Sequence, residues 1–243
     1  MIAVLDTIDI DEFRIMSSSV ASTQLNRPFR FYKASIGKKA VMAVTGVILF
    51  GFVVGHLIGN LQIFQGREKL DAYSAFLHVE PGLLWFARIF LLTSVVLHIV
   101  ASIQLTRLKQ AARPVAYTRI DHSHSSYASR TMMWSGPIIA AFVIYHLLHF
   151  TFGVVHPNYR ETHVFDNVVL GFQQISVSIA YIAAMILLCM HLYHGLFSMF
   201  QSLGVSHPSY TPRIKRFAAA FAILIAIGNI SIPVAVMMGL VHL

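Results

Sequence analysis

Charge is scarce in this chain. Lys, Arg, Asp and Glu make up 12 % of its 243 residues, about half of what a soluble domain of this size carries. Cysteine is nearly missing as well: Cys189 is the only one. That excludes an intrachain disulfide and a cysteine-ligated iron–sulfur cluster, so any such cluster belongs to another subunit. From residue 131 onward the only acidic side chains are Glu161 and Asp166. The N-terminus lacks the basic stretch and apolar core of a secretory signal; it opens instead with Asp6, Asp9, Asp11 and Glu12.

What the chain has in abundance is apolar surface, with 56 % hydrophobic residues. A helix needs roughly 20 apolar residues to cross a bilayer, and five runs reach that length. They cover about 37–64, 82–107, 131–153, 168–203 and 213–240. The expected fold is an all-α membrane protein, a five-helix transmembrane bundle occupying residues 36–243 behind a polar tail, 1–35. The fourth run is too long for a perpendicular span and is expected to tilt or project. Pro233 falls inside the fifth and is expected to kink it.

The net charge of +8 has the sign of a nucleic-acid binder, but its distribution follows membrane topology. With the N-terminus inside, only Arg67, Lys69, Arg88 and Arg160 lie in outer segments, and the other fourteen of the 18 Lys and Arg lie in inner ones. By the positive-inside rule the N-terminus is cytoplasmic and the partner is anionic lipid, not nucleic acid.

Ionisable side chains inside a bilayer are costly and usually mark function. Four successive runs each carry a histidine well inside: His56, His98, His146 and His191. Hydrogen bonding between helices is the plainer use of such residues, and depth argues for more. At ~1.5 Å per residue, His56 and His146 lie roughly 10–15 Å below the outer surface. His98 and His191 lie toward the inner ends. Two pairs at two depths, from alternate helices, are what two stacked haems with bis-histidine ligation need. Small residues line the same helices: Gly51, Gly55 and Gly59 around His56, Ser94, Ala101 and Ser102 around His98, and Gly195 four residues after His191. His149 and His194 each follow a candidate ligand by three residues, on nearly the same face. Spacing leaves open which member of each couple binds iron.

The segments GVILFGFVVGHLIGN, RIFLLTSVVLH, SGPIIAAFVIYH and HLYHGLFSMFQSLGVSHPSYTPRIKR resemble the five-helix, di-haem cytochrome b subunit of bacterial succinate:menaquinone oxidoreductases and quinol:fumarate reductases. The resemblance runs from about residue 36 to 240. It implies His56, His98, His146 and His191 as the axial ligands of two b haems, with His56 and His146 on the distal one and His98 and His191 on the proximal one. It implies a flavoprotein subunit, an iron–sulfur subunit docked on the cytoplasmic face, and menaquinone as substrate, in the bacterial plasma membrane. Gly55, Gly59, Gly195, Arg88, Arg130, Lys39, His149 and His194 become possible haem contacts. His78, Lys38 and Arg213 are further candidates for the propionates, and Trp85 and Trp134 are expected interface anchors. One departure stands out. Where fumarate reductases of this type can carry a glutamate two residues before the helix-four ligand, this chain has Cys189, so that proton path is not expected. Glu80 is the nearest acid for quinone protons, with a solvated loop carboxylate as the plainer reading.

Three other readings compete: the fumarate-reducing direction, the cytochrome b of a hydrogenase or formate dehydrogenase, and a haem-free histidine-lined transporter. The four-helix histidine pattern argues against the second, and the two depths argue against the third. His122 and His124 are read as loop residues.

Overall fold

A computed structural model describes residues 32, 34–112, 127–205 and 207–243. Among them every regular element is helical, and five helices are long and apolar enough to cross a membrane. Most of the N-terminal tail, Arg113, Arg119, His122 and His124 lie outside the described residues.

The chain runs α1 (Ser35–Asn60), α2 (Arg67–His78), α3 (Pro81–Ala111), α4 (Tyr127–His146), α5 (Val164–Gln173), α6 (Ile175–Ser202) and α7 (Thr211–Met237). The long helices are α1, α3, α4, α6 and α7. Pro81 and Pro212 sit in the first turns of α3 and α7, where proline's fixed φ suits a helix start and its missing N–H has no partner to lose. Helix α1 tightens into a 3-10 turn, Leu61–Gln65, and stops at Gly66, whose φ of 99° favours glycine. Helix α4 carries Pro137 inside it, a second internal proline beside the expected one in α7. It continues into a π-helical turn, Leu147–Thr151, before Gly153 (φ 69°) turns the chain.

Large apolar side chains such as Ile58, Phe86, Leu92, Trp134, Ile144 and Leu224 point outward and are exposed. In water that surface would drive aggregation; in hydrocarbon it is the natural solvent-facing side. Inside, small residues let the helices approach. Ser94 and Ala101 are the buried positions of α3, and Ser102, expected beside them, is exposed. Gly228 of α7 admits the side chain of Leu57 from α1.

One expectation fails at the fourth run. The span begins at Ile175, not near residue 168, because the chain breaks at Gln174, which is extended (φ −76°, ψ 107°). The apolar stretch before it, Val164–Gln173, is a separate short helix with six of its ten residues buried. Hydropathy reads the two as one run, with only the polar pair Gln173–Gln174 to mark the join. The join is held by Ser178, whose Oγ donates to the Phe172 carbonyl at 2.6 Å.

Helices α2 and α5 together form a cap on one end of the bundle. The backbone N–H of Phe165 donates to Asp71 Oδ1 at 2.9 Å, and Arg67 pairs with the buried Asp166. Beneath them, Ile63, Leu70, Phe165, Val169 and Phe172 pack on Tyr181, Ile232, Ala235 and Val236. The loop into α5 is pinned too. Asn167 accepts the Arg160 N–H at 2.9 Å and donates to the Arg160 carbonyl at 2.7 Å. Tyr159 donates to the Thr151 carbonyl at 3.0 Å. Burial, with Glu161 nearby, pushes the Tyr159 phenol above its ordinary pKa despite the opposing pull of Arg88, so the donor stays protonated.

Candidate functional site

The four intramembrane histidines meet in two pairs. The rings of His56 (α1) and His146 (α4) have centres 5.8 Å apart, at 89° to each other. Those of His98 (α3) and His191 (α6) are 6.4 Å apart at 54°. Two features of the helices measure the distance between the pairs. Thr45, which touches His98, lies eleven residues before His56 on α1. Tyr181, which touches His146, lies ten before His191 on α6. The two counts give about 15–17 Å along the bundle at 1.5 Å per residue. The His56–His146 pair is nearer the capped end.

The environment of each ring decides which nitrogen is free. The Thr45 hydroxyl donates to the Val41 carbonyl at 2.7 Å. Its proton is therefore committed, and toward His98 Nδ1, 3.1 Å away, its oxygen can only accept. That fixes the proton on Nδ1 and leaves the Nε2 lone pair of His98 free. Across from it, His191 Nδ1 is buried without a hydrogen-bond partner. In the other pair, His56 stacks on Phe52 (5.3 Å, 22°), while His146 Nδ1 lies 3.3 Å from the Tyr181 hydroxyl.

His149 turns away from the pair. It is 1 % exposed, stacks on Tyr145 (5.6 Å, 13°) and on His156 (4.9 Å, 29°), and its Nδ1 lies 3.1 Å from the same Tyr181 hydroxyl. The cause is the π-helical turn that starts at Leu147. Its wider i→i+5 pitch, marked by the Phe152 N–H to Leu147 carbonyl bond of 2.9 Å, rotates His149 off the face that His146 would share with it in an α-helix. His194 is half-buried and belongs to neither ring pair.

The other residues singled out in the sequence scatter. A Cβ on Gly55 or Gly195 would meet nothing within 4 Å, so both border open space. Gly59 does not: a Cβ there would lie 2.5–2.8 Å from the Tyr73 ring of α2, so this glycine serves the cap rather than a porphyrin. Arg88 stacks over Trp85 at 5.2 Å, Arg130 over Tyr127 at 5.9 Å, and Lys39 is exposed. Lys38 donates to the Tyr32 carbonyl at 2.9 Å. His78 donates from Nδ1 to the Ser74 carbonyl at 2.8 Å, within its own helix.

Sequence reasoning misses Thr45 and Tyr181. The signal is present, since a hydroxyl inside an apolar span needs a partner, but it does not say which partner.

The pairs fit ligation of one metal centre each. Two imidazoles bound to opposite faces of one metal ion, at metal–nitrogen distances of about 2.0–2.1 Å, place their ring centres roughly 6 Å apart. The two observed separations agree with that, and among the described residues no three His, Cys, Asp or Glu side chains gather into a site for a bare metal ion. The fixed Nδ1–H of His98 leaves its Nε2 free, so His98 and His191 would be able to hold a haem iron, and His56 and His146 a second. Compared with models of known protein families, with curated proteins and with solved structures, the chain has no match.

Proposed function

We propose that this chain is the membrane-anchor cytochrome b subunit of a bacterial succinate dehydrogenase, holding two b haems between paired histidines. The observation that supports it most is the two facing pairs, His56–His146 and His98–His191, separated by about 15–17 Å along the bundle. Haem b bound there would supply one-electron iron redox chemistry. His56 and His146 would hold one iron from its two faces, and His98 and His191 the other. Thr45 keeps the His98 imidazole in the tautomer that offers Nε2. His98, His146 and His191 are half-buried among the helices, and the α2–α5 cap covers one end.

In this reading the flavoprotein subunit oxidises succinate, the iron–sulfur subunit docks on the cytoplasmic side, and electrons cross this chain to menaquinone in the plasma membrane. The basic residues Lys38, Lys39, Arg107, Arg213, Lys215 and Arg216 fall on the side assigned to the cytoplasm.

The test is a pyridine haemochrome assay with reduced-minus-oxidised spectra, quantified per polypeptide, on the complex purified with its partners. Two b haems per chain are expected. No haem at all would sink the cytochrome reading and return the histidines to hydrogen bonding or transport.

A further inference from the structure

We propose that Tyr181 is the positioning residue of the His56–His146 pair, orienting His146 toward the iron and holding His149 out of the site. This assignment rests on the bis-histidine reading above.

Tyr181 rises from α6 between two imidazoles of α4 and its extension. Its hydroxyl lies 3.3 Å from His146 Nδ1 and 3.1 Å from His149 Nδ1. A phenol has one proton, so it donates to one ring and accepts from the other. A histidine that gives Nε2 to a metal carries its proton on Nδ1 and donates it. His146 Nδ1–H therefore donates to the Tyr181 oxygen, and the phenol proton goes to His149 Nδ1. That places the remaining His149 proton on Nε2, the buried atom of that ring with no hydrogen-bond partner. His149 is thereby locked by one hydrogen bond and two stacked rings, those of Tyr145 and His156.

The tyrosine has no freedom to leave this position. It is 6 % exposed, with Phe142 at 4.9 Å, Phe172 at 5.0 Å and Phe150 at 5.7 Å around its ring. Its effect on the site is electronic as well as geometric. An imidazole that donates from its second nitrogen is a more basic ligand, and a phenol that is itself donating is a better acceptor, because linked hydrogen bonds polarise one another. Tyr181 thus favours the ferric state at this pair. Among the described residues no phenol bridges the other pair.

The experiment is a redox titration of the whole complex carrying Tyr181→Phe, followed in the haem absorbance and in the low-spin paramagnetic signals. The variant keeps the ring and removes only the hydroxyl. Both haems are expected to remain. One midpoint potential should rise and its low-spin signal should move, while the other component stays as it was. His149→Phe should also retain both haems, because His149 binds neither iron. Unchanged potentials and signals in Tyr181→Phe would overturn the proposal, and so would loss of one haem in His149→Phe. Should Tyr181→Phe fail to accumulate, His149→Phe decides alone, by retention of both haems or loss of one. The unsubstituted complex separates the two claims. No haem there overturns the cytochrome reading and this assignment with it; two haems indifferent to Tyr181→Phe overturn the assignment alone.

Discussion

The two histidine pairs face the same physical problem and meet it differently. Each must hold imidazoles at a fixed tautomer and angle in a medium with no water to satisfy them. Near the capped end the chain folds back on itself, and side chains from several elements reach inward. His146 sits among Phe142, Phe150 and Tyr181, with a hydroxyl from a neighbouring helix at its Nδ1. Deeper in the bundle, the described residues around His98 and His191 belong to long helices. The partner of His98 is Thr45, whose hydroxyl is anchored to its own helix's carbonyl at Val41, and His191 Nδ1 has none. A polar group in a membrane is served by whatever its position along the span can supply. That is a dense aromatic box where loops return, and a back-bonded hydroxyl where they do not.

The largest expected effect tests whether the pairs are separate sites at all. His56→Ala and His98→Ala should each remove one of two haems and leave the other, read as half the haemochrome per polypeptide. A variant that loses both would mean one shared site. The next effect separates the two kinds of glycine. Gly59→Ala pushes a Cβ to 2.5 Å from Tyr73 and should cost about 1–3 kcal/mol in thermal unfolding. Gly55→Ala meets open space and should change stability by less than about 0.5 kcal/mol. A smaller effect lies in the cap. Arg67→Ala leaves the buried Asp166 carboxylate without its cation. Because the arginine side chain is 43 % exposed, the cost should be only about 1 kcal/mol. Amide exchange should speed up in Val164–Gln173 and stay unchanged around Thr45.

Much of this comparison is legible in the amino-acid order alone. Five apolar runs mark the five long helices, and counting residues from their ends sorts His56 with His146 and His98 with His191. The sequence does not show what depends on contacts between elements. The stretch from residue 168 reads as one span with Ile175–Ser202, because hydropathy records apolar content and not the extended φ and ψ of Gln174. Helix α2 is too polar to register as a span and too short to stand out. Gly59 looks like room for a macrocycle because nothing in the sequence says that Tyr73 packs there. The His146 and His149 couple is ambiguous for a specific reason. The expectation of a shared face assumes α-helical pitch, and the pitch changes one residue after His146.

The smallest effect is the sharpest test of the contrast between the pairs. Thr45→Val removes the acceptor for the His98 Nδ1–H but keeps the shape of the side chain. The proton is not stranded, because the backbone of Met42 also faces His98, so the bond can shift to a carbonyl of the same helix. The net loss should stay below about 1 kcal/mol, with both haems retained. The midpoint potential of the His98–His191 component should move upward, though less than Tyr181→Phe moves the other. Tyr181 is expected to matter more because Phe142 and Phe150, the neighbouring rings against His146, carry no side-chain acceptor. An equal or larger shift from Thr45→Val would break the comparison. It would mean that the deeper pair, and not the one beneath the cap, depends more on a single hydroxyl.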